Sequence, residues 1–316
     1  MLATVLPTVI PVFGLIALGF LAGRSGYLSD AGVKGLPEFV FRIAMPIMLF
    51  RTIGQANMPE AAPVTILLMY FCAALITWAL ASIATGVLLR RPQADAAAFG
   101  MASTFSNSVM MGLPIGLAHY GQTAAPVIAL IILCDTAVLW LAAALYLAAT
   151  DSARAQGIGG VLVTLMRRVG TNPIILGCVA GLGWQIAGLT MPPLADRMVT
   201  LLAQAAIPGA LVSLGLALNS YGLAGQVPAV AMITVLKMLV MPALAYLLGT
   251  HVLALPPLEV GVVTILAAMP VGANAYLFAA ANERQPAAVS GAIAATTPLA
   301  LFTISLLLLF LGQPRP

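Results

Sequence analysis

Ten apolar runs follow one another along this chain, near residues 4–22, 36–53, 64–89, 95–119, 123–149, 171–189, 198–219, 227–253, 258–282 and 287–312. Proline, glycine or charged residues separate them. Each is long enough to span a hydrocarbon core, which takes roughly 20 helical residues. No soluble fold hides ten such runs. Of the 316 residues 62% are hydrophobic and 7% charged, where a soluble domain carries about 25% charged residues. The pattern predicts an all-α membrane protein of ten transmembrane helices with no separate soluble domain. Helix is the only state available, because open sheet edges do not survive in lipid and alternating barrel strands are absent. The first run has no Lys or Arg before it and leads straight into Gly23-Arg24. It therefore reads as a first span and not as a cleaved signal.

The positive charges set an orientation. With the N-terminus outside, Arg24, Lys34, Arg42, Arg90, Arg91, Arg154, Arg167, Arg168 and Arg284 collect on the cytoplasmic side. Arg51, Arg197 and Arg315 fall on the other. The positive-inside rule then puts both termini on the periplasmic face of an inner membrane. The longest connection, Thr150 to Gly170, is cytoplasmic and basic and lies at the chain midpoint. Cys72, Cys134 and Cys178 fall inside runs without metal-ligand spacing, and read as small packing residues.

The two halves repeat. Val9-Ile10-Pro11 matches Thr171-Asn172-Pro173, Gly19 matches Gly181, and Ala44-Met45-Pro46 matches Ala206-Ile207-Pro208, all 162 residues apart. Gly100 answers Gly261 and Pro126 answers Pro286 at offsets of 161 and 160. Single Gly and Pro matches are cheap in a membrane protein; a nearly constant offset is not. The expected organisation is a first five-helix repeat over 1–150, a cytoplasmic linker over 151–170 and a second five-helix repeat over 171–316. Five is an odd number, so the copies take opposite topology, the inverted repeat that gives carriers two related conformations.

Two runs are broken at corresponding places, at Ser106-Asn107-Ser108-Val109-Met110-Met111-Gly112-Leu113-Pro114 in the fourth and Met269-Pro270-Val271-Gly272-Ala273-Asn274 in the ninth. Asn107 and Pro270 lie about 18 Å from either end of their runs, the bilayer midplane. Proline breaks a helix interior yet suits the first turn of a new helix, so half-helices are expected to begin near Pro114 and Pro270. Their first-turn amides and positive dipole ends would face a shared cavity that prefers an anion. Ordinary kinks, with Asn107 and Asn274 satisfying freed backbone groups, are the bland alternative.

Asp135 and Lys237 sit deep in the fifth and eighth runs, at depths within about one turn of each other. A charge there costs about 2.5–3.5 kcal/mol even on the lenient insertion scale. They read either as a buried salt bridge or neutral acid, or as a proton site at Asp135 with a carboxylate partner at Lys237. Glu38 and Arg42, four apart, read as a helix-surface ion pair. His119 and His251 read as solvated residues at run ends, Asn172-Pro173 as a helix N-cap with Pro in the first turn, and Trp78, Trp140 and Trp184 as packing or lipid contacts. Walker, HExxH and GxSxG motifs are absent, so no ATPase, metal or nucleophile chemistry, cofactor or metal site is expected.

At Asn107 to Pro114 and Met269 to Asn274 the sequence resembles the auxin efflux carrier family, including its bacterial malonate-transporter members. The resemblance covers the whole chain in span count and repeat plan, and the fourth-run motif is its most specific part. It implies broken, crossing helices 4 and 9 set between a scaffold and a transport bundle, and organic-anion substrates. Plant members carry a long central cytoplasmic loop; the short connection here is of the bacterial type. The expectation is a secondary transporter of a small carboxylate such as malonate. Asn107, Ser108, Gly112 and the amides after Pro114 and Pro270 hold the substrate, and Asn274 lies opposite. A passive anion channel is the alternative, and a membrane enzyme a distant third. The expected partners are the anion, the bilayer, a proton or sodium co-substrate if the anion is taken up, and no nucleic acid. A homodimer is compatible with this reading.

Overall fold

The computed structural model describes residues 2–55, 59, 61–151, 158–221 and 226–312. The order is α1 (Leu2–Arg24), α2 (Asp30–Phe39), α3 (Met45–Gly54), α4 (Pro63–Val87), α5 (Asp95–Thr104), α6 (Leu113–Tyr120), α7 (Ala125–Thr150), α8 (Ile158–Gly170), α9 (Pro173–Ile186), α10 (Pro193–Leu218), α11 (Val227–Val235), α12 (Met241–Leu247), α13 (Pro257–Ala267), α14 (Ala273–Ala281) and α15 (Pro286–Leu311). Among the described residues there is no strand, only one isolated antiparallel bridge.

Among the described residues every apolar run is mainly helical, the fourth and ninth with a break. Five stretches are long and apolar enough to cross a membrane: Pro63–Val87, Ser108–Thr150, Pro193–Leu218, Val227–Val252 and Pro286–Leu311. Others fall short by length, such as the 14-residue α9, or because the run is interrupted, as between α13 and α14. The outward faces carry exposed Leu68, Ile83, Leu201, Phe302, Leu306 and Phe310. A helix apolar on both its packed and its outward face suits a lipid surround.

Interior prolines explain three irregular turns. Wide π turns at Val40–Ala44, Ser108–Gly112 and Leu236–Val240 each end two residues before a proline, at Pro46, Pro114 and Pro242. A proline ring clashes with the carbonyl four residues back and offers no N–H. The extra residue in a π turn moves that carbonyl aside, so the helix continues instead of breaking.

Two helix pairs pack at backbone contact. A Cβ on Gly19 of α1 would fall on the Val212 carbonyl of α10, and one on Gly215 of α10 on the Ile16 carbonyl of α1. Likewise Gly177 and Gly181 of α9 lie against the carbonyls of Pro46 and Phe50 in α3. Thus α1, α3, α9 and α10 form one panel. The remaining long helices gather around α5 and α13, and α7 touches both groups.

The connection expected over 151–170 is not all loop, since 158–170 forms α8. Its apolar and basic residues segregate at helical spacing, a pattern hidden by its short length and glycines. Val163, Met166 and Arg167 are exposed on it. Arg154 and Arg315, which entered the charge count, lie outside the described residues.

Candidate functional site

The two interrupted helices meet back to back at their breaks. α5 ends at Thr104, the chain runs extended through Phe105, and a helical course resumes at Ser108; α13 ends at Ala267 and α14 begins at Ala273. The breaks pair as a two-residue ladder: the Asn107 N–H donates to the Pro270 carbonyl and the Gly272 N–H to the Phe105 carbonyl, both at 2.9 Å. Each break thereby satisfies backbone groups the other frees, which an apolar interior requires. Gly272 is needed because a Cβ there would meet the Ser106 carbonyl at 2.8 Å. The Val271 N–H is taken by Thr296 Oγ1 at 3.2 Å.

This geometry corrects two expectations. The first half-helix resumes at Ser108, six residues before Pro114, because the π turn absorbs that proline. Pro270 lies within the extended break rather than in the first turn of α14; the restriction a proline places on the residue before it ends α13 early.

A cavity of about 660 Å³ opens at the crossing. Asn107, Ser108, Val109 and Met110 enter it from one half-helix start, and Gly272, Ala273 and Asn274 from the other. Ser106, Asp135 and Thr136 line it from behind, while Phe41, Arg42 and the Thr171–Ile175 segment close the panel side. Asn107 and Asn274 are half-buried, with no side-chain hydrogen bond among the described residues. Ser108 Oγ is buried and has no partner there either. Three polar side chains and two sets of first-turn amides thus converge unpaired on one space, as anion binding at helix N-termini requires.

Of the residues singled out by sequence, Asn107, Ser108, Asn274 and Asp135 come together on this cavity. Gly112 does not: it is a close-packing position where a Cβ would meet Leu266 Cδ2 at 2.7 Å. Pro114 is buried in α6, and Pro270 contributes its carbonyl to the ladder.

Lys237 stands behind the crossing, fully buried. Its Nζ donates to Ser106 Oγ at 2.9 Å and to the Ala267 carbonyl at 2.5 Å, with Met241 Sδ at 3.4 Å. Tyr70 also donates to Ser106 Oγ, at 3.2 Å. The expected pairing of Lys237 with Asp135 is therefore not made. Asp135 meets Thr136 Oγ1 at 3.2 Å instead. Equal depth in the sequence left azimuth open, and the two side chains take different partners.

Tyr70, Ser106, Thr136 and the cavity position of Arg42 were missed. Ser106 adjoins Asn107 and was within reach; nothing local in the sequence turns the second run toward the fourth. The Glu38–Arg42 pair forms as expected, at 3.2 Å and largely exposed. Asn172 Oδ1 accepts from the Ile174 N–H at 3.0 Å, with Pro173 in the first turn. His119 departs from expectation, lying in α6 with its Nε2 3.1 Å from the Gly312 carbonyl. The tryptophans pack, Trp140 against Phe278, Trp184 against Phe50 and Trp78 over Gly100.

At the end away from the break α5 begins with a buried acid, Asp95. It accepts from Arg284 at 3.2 Å and Gln285 at 2.7 Å, and Arg284 also donates to Asp151. The Asp151 hydrogen bond is the main cause that pushes the Arg284 guanidinium above its ordinary pKa. α13 likewise carries buried Glu259 in its first turn, which accepts from the Ala61 N–H at 3.2 Å. Acids at these positions complement the helix dipoles.

A mostly helical chain with apolar outward faces and a polar cavity where two interrupted helices cross is built as a membrane transporter. The chain belongs to the membrane transport protein family, whose profile matches residues 4–308. It is 29% identical over 309 residues, 97% of this chain and 96% of the relative, to the "Putative malonate transporter" of Rhizobium meliloti (strain 1021). It is 25% identical to an uncharacterized transporter of Methanothermobacter thermautotrophicus, across 95% of this chain and 96% of that one. It is 23% identical to auxin efflux carrier component 8 of Arabidopsis thaliana, across 90% and 91%. The resemblance to auxin efflux carriers thus extends over most of the chain.

Proposed function

We propose that this protein is a secondary carrier of a small organic anion, a carboxylate in the class of malonate, working by alternating access. The observation that carries the reading is the convergence of Asn107, Ser108 and Asn274, none with a side-chain partner among the described residues, at two half-helix starts on one cavity. Helix N-termini and amide donors favour a carboxylate. The name of the Rhizobium relative points to the same class.

The carrier crosses the bacterial inner membrane ten times as two inverted halves, 1–150 and 171–316, with both termini periplasmic. The pairing of α1 with α10 and of α9 with α3 supports this, since exchanging the halves turns one pair into the other. Gly19 and Gly181, matched in the repeat, both occupy close-approach positions. A reporter active only outside the cytoplasm, fused after Pro316, should be active, and one within 155–159 inactive. The reverse pattern overturns the orientation.

Asp135 faces the cavity in which the anion sits. An ionised Asp135 would repel it, so anion and proton bind together. The membrane potential opposes anion uptake by about 2.3 kcal/mol per charge per 100 mV, and a co-transported proton offsets this. Sodium is the competing coupling ion, and a homodimer is compatible with the panel face.

The deciding experiment uses purified protein. A carboxylate that stabilises it in a thermal-shift panel should drive counterflow in proteoliposomes. Large unitary currents without counterflow would mark a passive anion channel and end the carrier reading.

A further inference from the structure

We infer that Arg42 is the specificity-determining residue for a second carboxylate on the substrate, so that the site is built for dicarboxylates. The inference rests on the carrier reading above and deepens it by assigning a residue to each end of the substrate.

Two sets of elements line the cavity: the half-helix starts with Asn107, Ser108 and Asn274, and the panel residues Phe41, Arg42 and the start of α9. The charged residues among its lining are Arg42 and Asp135. Lys237 lies behind the crossing, its ammonium already committed to Ser106 and Ala267. A monocarboxylate is satisfied at the half-helix starts. A second carboxylate needs its own counter-charge, and Arg42 is the cation among the lining residues, carried by the panel.

Arg42 is free to serve. Among the described residues its guanidinium meets one partner, Glu38, through Nε at 3.2 Å, and the two side chains are 72% and 62% exposed. An exposed pair of this kind is readily exchanged. A carboxylate on the planar fork can make two parallel hydrogen bonds, so a substrate carboxylate replaces Glu38. Arg42 also sits at the centre of the π turn Val40–Ala44, which sets the local direction of the side chain, and such turns are frequent at functional sites. A dicarboxylate bridging the two sets ties the panel to the crossing helices, a link that a monocarboxylate does not make.

Binding of malonate, succinate and propionate is measured by titration calorimetry on detergent-purified wild type, Arg42→Gln, Arg42→Lys and Glu38→Gln. Size-exclusion profiles verify that each variant is folded. The wild type should prefer a dicarboxylate over propionate by about tenfold or more, the scale of one charge-assisted contact. Arg42→Gln should bring the affinities within about threefold of each other by weakening the dicarboxylate alone. Arg42→Lys should retain part of the preference, and Glu38→Gln, which removes the competing carboxylate, should strengthen it. An undiminished preference in folded Arg42→Gln, or an equal loss of propionate binding, overturns the role of Arg42. Propionate binding abolished by Asn107→Ala leaves the carrier reading standing in that case. Failure of the wild type to bind any of the three carboxylates overturns both.

Discussion

Lys237 donates from Nζ to the carbonyl oxygen of Ala267 at 2.5 Å, placing a buried cation on the last residue of α13. The C-terminal end of a helix carries partial negative charge, and here that end points at the crossing. With it covered, the positive ends of the two half-helix starts are left facing the cavity, as the proposed anion site needs.

Lys237→Met should therefore lower thermal stability and abolish transport. Ser106 and Ala267 lose a charge-assisted donor, each such bond being worth about 1.5–3 kcal/mol. The checks are a melting curve in detergent and initial uptake rates in proteoliposomes. A stable, active variant would show that the ammonium is incidental to the site.

Asn107→Ala and Asn274→Ala should weaken carboxylate binding while the protein stays folded, because among the described residues neither amide makes a side-chain hydrogen bond that holds the fold. The expected loss is about 0.5–1.5 kcal/mol per hydrogen bond, and more against a charged ligand. Calorimetric affinities read this directly. Unchanged affinity in both variants would move the binding site away from the crossing.

Asp135→Asn should preserve counterflow and remove acceleration by an inward proton gradient, since Asn keeps the shape but fixes the neutral state. Adding Lys237→Met should not rescue it, because Asp135 bonds Thr136 while Lys237 bonds Ser106 and Ala267. In a true buried ion pair, replacing both members is often close to neutral. Recovery of proton-driven accumulation in the double variant would restore the pair and remove the coupling role.

Gly215→Ala should destabilise the panel, because its Cβ would land on the Ile16 carbonyl, which belongs to backbone and cannot turn aside. Overpacking costs typically about 1–3 kcal/mol. Gly183→Ala is the control: nothing lies within 4 Å of a Cβ there. Equal melting temperatures for the two variants would contradict the close approach of α1 and α10.

Much of this protein is written locally. Ten apolar runs, the repeat offset and the two interrupted motifs follow from composition and period, because lipid leaves helix as the available state and proline marks where helices are disturbed. Asn107, Ser108 and Asn274 were legible for the same reason: they are polar residues beside the breaks of two apolar runs. The resemblance to auxin efflux carriers added the expectation of two crossing broken helices and of the proposed substrate class. Tertiary structure decided what depends on azimuth and on contacts across the chain. It separated Asp135 from Lys237, since depth along a helix does not say which way a side chain points. It resumed the fourth helix at Ser108, since a π turn accommodates Pro114. It brought Arg42 to the cavity, since that position depends on packing between the second helix and the crossing, across more than sixty residues of chain.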